Sequence, residues 1–116
     1  MSAERILVVE DDPILASIIA ELLTDADYEV DGPYASLSDG VAALASDFPD
    51  GAVLEIRLGG GDVGMLAEDL KSYDIPFLFC SGFADDRLTR HLPDAPLVPK
   101  VTLSQTLVPV LDKLLH

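Results

Sequence analysis

The sequence predicts an α/β domain in which five strand–helix repeats share one parallel sheet. Three observations carry this. Short apolar runs alternate along the chain with stretches of helical periodicity. The first run, Ile6-Leu7-Val8-Val9, has no polar alternate positions, as a strand covered on both faces requires. Polar residues then cluster where such runs end: Glu10, Asp11 and Asp12, later Glu55, then Ser81, and finally Lys100.

The elements follow in order. Asp12-Pro13 starts a helix, with aspartate as N-cap and proline in the first turn, and Leu15, Ile18, Ile19, Leu22 and Leu23 supply its apolar stripe. A second strand is expected over Tyr28 to Val30, ended by Gly32-Pro33. A short helix over Ser38 to Asp47 should turn Val41, Leu44 and Ala45 inward. Pro49-Asp50-Gly51 has turn chemistry, and Ala52 to Ile56 is the third strand. After a glycine loop, a helix carries Met65, Leu66 and Leu70. Ile75 to Cys80 is the fourth strand, followed by a weakly patterned helix around Asp85 to Leu92. Leu97-Val98 is the fifth strand. A last helix presents Leu103, Leu107, Val110, Leu111 and Leu114, and Pro109 should make it start near Thr106 or bend.

Alternating strands and helices imply right-handed crossovers and helices on both faces of the sheet. In such sheets ligands gather outside the carboxyl ends of the strands. Glu10, Asp11, Glu55, Ser81 and Lys100 all fall there, which marks that edge as the candidate site.

Composition narrows the function classes. The 116 residues fit one domain, and 49% hydrophobic content supports a real core. Acids outnumber Lys plus Arg by 21 to 7, for a formal charge of −14, which disfavours nucleic acid or an anionic membrane as direct partner. No apolar stretch approaches the ~20 residues that a bilayer crossing needs, and the N-terminus lacks a secretory layout, so a cytoplasmic protein is expected. The single cysteine, Cys80, excludes an internal disulfide and reads as a small buried core residue.

Taken as an ordered set, Ile6 to Pro13, Pro49 to Leu58, Pro76 to Gly82 and Val98-Pro99-Lys100 resemble the receiver domain of bacterial two-component response regulators. The resemblance spans essentially all of 1–116, so a single receiver-like domain without an output domain is expected. It implies a flavodoxin-like, doubly wound (βα)5 sandwich with strand order 2-1-3-4-5. It implies a non-enzymatic role in phosphorelay signal transduction, with a sensor histidine kinase, a phosphotransfer protein or a downstream signalling protein as partner. It also implies a candidate homodimer face made by the fourth helix, fifth strand and fifth helix. Carried over by position, Glu10 and Asp11 would be the metal-binding acid pair, with Glu55 and the backbone carbonyl of Arg57 completing the protein ligands of a Mg²⁺ ion. Oxygen ligands of this kind suit Mg²⁺. Ser81 and Lys100 would hold a phosphoryl group by hydrogen bond and charge.

The phosphoacceptor position falls on Glu55, where the family has aspartate. The extra methylene moves the carboxylate by on the order of an ångström, enough to cost roughly 100-fold in an in-line transfer. Glu55 should therefore accept little or no phosphate, weaken or alter the Mg²⁺ site, and imitate the phosphorylated state at most in part. The alternative is a pseudo-receiver, an interaction module independent of phosphorylation. Leu97 stands where the family often has an aromatic switch residue, and Val101 where proline often follows the lysine.

Other signals are weaker. Gly59-Gly60-Gly61-Asp62-Val63-Gly64 matches G-x-G-x-x-G, but it follows the third strand rather than opening the fold, so a loop beside the acidic pocket is the preferred reading. An aspartyl-nucleophile phosphatase would need D-x-D-x-T where this chain has Glu10-Asp11-Asp12-Pro13, and an FMN carrier would need a Ser/Thr/Gly-rich loop there. His91 and His116 lack metal-ligand partners at useful spacing.

Overall fold

A computed structural model describes residues 3–58, 63–82 and 92–116. The strands are β1 (Arg5–Val9), β2 (Glu29–Tyr34), β3 (Gly51–Glu55), β4 (Phe77–Ser81) and β5 (Leu97–Pro99). The helices are α1 (Pro13–Asp25), α2 (Leu37–Ser46), α3 (Val63–Ser72) and α4 (Leu103–Leu115), the last preceded by a 3₁₀ turn at Lys100–Thr102. The sheet runs β2-β1-β3-β4-β5 and every pair is parallel, which is the flavodoxin-like order. The helix expected around Asp85 to Leu92 falls, except for Leu92, outside the described residues, as does His91.

Strand alternation sorts the core into two layers. Leu7, Val9, Ala52, Leu54, Phe77 and Phe79 face α2 and α3, meeting Leu44, Val63, Leu66 and Leu70. Ile6, Val8, Val53, Leu78, Cys80 and Val98 face α1 and α4, meeting Ile19, Leu23, Leu103, Leu107 and Leu111. Burial on both faces is why β1, β3 and β4 read as unbroken apolar runs.

Several expected details differ. β2 does not stop before Gly32-Pro33 but runs through it to Tyr34. It is an edge strand, so the N–H that Pro33 lacks removes no bond from the sheet interior. The β1–β2 register shifts between Leu7 and Val9, and Gly32 takes φ +112 where a Cβ would lie 2.8 Å from the Val8 carbonyl oxygen. In α2, Val41 and Ala45 are exposed; the helix starts at Leu37 behind the Ser36 cap, which turns Gly40 and Leu44 inward instead. The apolar stripe of α3 begins at Val63 and continues through Leu66, Ala67 and Leu70, leaving Met65 exposed. In α1, Ala16, Ile19 and Leu23 are buried and Ile18 is exposed. The last helix begins at Leu103, not near Thr106, and contains Pro109 on its exposed side, where solvent can satisfy the carbonyl that proline leaves unpaired.

Candidate functional site

The period of two that builds the α1/α4 layer also builds the site. Ile6 and Val8 lead to position 10, Val53 to 55, Leu78 to Cys80, and Val98 to 100. Glu55 pairs in register with Cys80, and Ser81 with Pro99, so the four strand ends lie side by side. Lys100 closes the arrangement. Its Nζ lies 2.9 Å from Glu55 Oε2 and 3.3 Å from Glu10 Oε1. Glu55 Oε1 accepts a hydrogen bond from the Arg57 backbone N–H at 3.0 Å. Glu10 and Glu55 are 2% and 3% exposed, so both carboxylates sit beneath the surface rather than in solvent.

Two buried carboxylates share one ammonium, and the titration behaviour follows from that ratio. Burial, and next the charge of Glu55, push the Glu10 carboxyl up to about 7, although Lys100 works in the opposite direction. For Lys100, burial favours the neutral amine, but contact with Glu55 and then Glu10 outweighs it and raises the ammonium above its ordinary value. Cys80 is buried, as expected of a core residue, and burial followed by the Glu55 and Glu10 charges pushes its thiol up to about 12. That proximity of Cys80 to the acids was legible in principle, since it continues the same alternation as Leu78.

The remaining sequence-predicted residues divide. Ser81 is buried at the end of β4 and pairs with Pro99, the residue before Lys100. Asp11 is exposed, and Asp12 caps α1, accepting from the N–H groups of Ile14 and Leu15. Leu97 is half-buried, pairs with Phe79 and packs inward against the α2/α3 layer. His116 pairs instead with Glu4 at the opposite edge of the sheet, Nε2 to Oε1 at 2.7 Å. A cleft of about 290 Å³ beside Glu10 and Asp11 is otherwise walled by Pro13, Ala16, Pro33 and Ala35 among others.

Mg²⁺ demands near-octahedral oxygen ligands at short range. Glu10 and Glu55 offer the right atoms, and Glu10 Oε2 takes no hydrogen bond among the described residues. Yet the space both acids face holds the Lys100 ammonium. No group of three His, Cys, Asp or Glu side chains among the described residues is disposed to hold a metal. As arranged, these residues do not fit a resident Mg²⁺.

Comparison with known proteins agrees with the fold. The non-phosphorylated HemR receiver domain of Leptospira biflexa superposes with a TM-score of 0.82 at 30% identity, covering 97% of this chain and 94% of that one. The chain belongs to the response-regulator receiver family. A response regulator receiver protein from Sinorhizobium medicae gives a TM-score of 0.88 at 28% identity over 97% of this receiver domain and 94% of its own chain. The phyllosphere-induced regulator PhyR of Methylorubrum extorquens is 26% identical over 95 residues, or 79% of this chain. The receiver domain spans only 36% of PhyR. No family model matches the sequence. No helix among the described residues is long and apolar enough to cross a membrane.

Proposed function

We propose that this receiver domain is a signalling module that works by binding partner proteins, with Glu55 at the phosphoacceptor position in place of aspartate. The observation that carries the reading is the ion pair between Glu55 and Lys100 at the carboxyl edge of a receiver sheet. A phosphoacceptor must present a free carboxylate oxygen in line with an incoming phosphoryl group. Here Glu55 Oε2 faces the ammonium and Oε1 is held by the Arg57 N–H, so both oxygens are engaged. The pair imitates in part the contact between a phosphoryl oxygen and lysine, with less charge and fewer acceptor oxygens than a phosphate. Ser81 and Lys100 remain as the remnant of phosphate-stabilising chemistry, Glu10, Asp11, Glu55 and the Arg57 carbonyl as that of a weakened Mg²⁺ site. Partners are a histidine kinase, a phosphotransfer protein or a downstream signalling protein, met in the cytoplasm. The charge of −14 favours a partner with a basic surface.

Incubation with a labelled small-molecule phosphodonor and Mg²⁺ tests this on the unchanged chain and on Glu55→Asp. No stable incorporation is expected in the first, and incorporation is expected in the second. Stable label on Glu55 would overturn the assignment. Failure of both chains to take label, with partner binding intact, would instead establish a pseudo-receiver independent of phosphorylation.

A further inference from the structure

We infer that the Lys100 ammonium is the resident cation of the acidic pocket, holding Glu10 and Glu55 together in the space a divalent metal would need and thereby setting the pocket's response to Mg²⁺. The inference deepens the reading proposed above, on which it rests, by naming what governs metal at the same site.

Three features support it. Lys100 Nζ contacts both acids, at 2.9 Å and 3.3 Å, rather than one. Both acids are almost fully buried, so their charge must be balanced from within the protein, and Lys100 is the cation that the described ion pairs supply to them. Position completes the case: Lys100 opens a 3₁₀ turn fixed by β5 on one side and α4 on the other, and its side chain is only about a quarter exposed. A dication entering between Glu10 and Glu55 would have to displace that ammonium or sit against it, and like charges at such range repel strongly. Lys100 is thus a positioning residue that competes with metal for the same two carboxylates.

Titration calorimetry of MgCl₂ into the unchanged chain, Lys100→Met and Lys100→Arg, at constant ionic strength, tests this. Lys100→Met should bind Mg²⁺ at least about tenfold more tightly than the unchanged chain, a difference of about 1.4 kcal/mol. Lys100→Arg keeps the charge and should stay as insensitive as the unchanged chain. Equal or weaker binding by Lys100→Met overturns the inference. Should the loss of the buried cation unfold that variant, amide chemical shifts of the unchanged chain decide alone. Small Mg²⁺-specific shifts at residues 10 and 55 are expected, and saturating shifts there at sub-millimolar Mg²⁺ overturn it. Thermal unfolding adds a readout of mechanism: Mg²⁺ should raise the midpoint of Lys100→Met and leave that of the unchanged chain in place. Failure of the underlying reading is separable, since it would show as phosphoryl label on Glu55 whatever the order of metal affinities.

Discussion

Replacing Glu10 by glutamine should make the domain more stable at pH 8, although it removes one member of a buried ion-pair cluster. Two acids face one lysine, so one carboxylate is in surplus, and Glu10 is the one whose carboxyl is pushed up to about 7, first by burial and then by Glu55. An acid raised in the folded state binds its proton more tightly there than in the unfolded chain. Stability is therefore fully present below the ordinary value of 4.5 and is lost as pH rises towards about 7. At roughly 1.4 kcal/mol per pH unit, the loss across that window comes to about 3 kcal/mol. Glutamine imitates the protonated acid and leaves Lys100 paired one-to-one with Glu55. Urea unfolding of the unchanged chain and of Glu10→Gln, between pH 4 and pH 8, reads the effect. The unchanged chain should lose stability through the window, whereas the variant should be flatter there and gain up to about 3 kcal/mol at pH 8. A variant less stable than the unchanged chain at pH 8 would refute the argument, because it would mean that Lys100 balances both carboxylates in full.

Two further outcomes test the surroundings of the site. Asp12→Ala removes the cap that accepts from the Ile14 and Leu15 N–H groups and should lower unfolding stability by about 1 kcal/mol without altering the phosphodonor result for Glu55→Asp. Cys80, buried beside the acids with its thiol pushed up to about 12, should resist alkylation in the folded chain at pH 8 and react once urea unfolds it. Rapid labelling of the folded protein would contradict the burial of Cys80.

Local signals in the sequence determined most of the architecture. Apolar runs such as Ile6 to Val9 and Phe77 to Cys80 could be satisfied only by strands covered on both sides, and Asp12-Pro13 specified a helix start by its own hydrogen bonding. That Glu10, Glu55 and Lys100 would lie together was legible because strand ends in a parallel sheet share one edge. Details set by neighbours were not. Whether Val41, Ala45 and Met65 turned inward depended on which helix face met the sheet, and period alone fixes that only to within a residue or so. The continuation of β2 through Pro33 was possible because no strand lies on its outer side.

What the chain determined by itself was that Glu10, Glu55, Ser81 and Lys100 would fall at one edge of a parallel sheet, because strand alternation and crossover handedness leave few other arrangements. Only the tertiary structure decided how they meet: Lys100 between Glu10 and Glu55, Asp11 turned to solvent, and Leu97 against the α2/α3 layer. Charge pairing below the surface depends on distances of a few ångströms and on burial, and both are properties of packing among distant segments rather than of any local stretch of sequence.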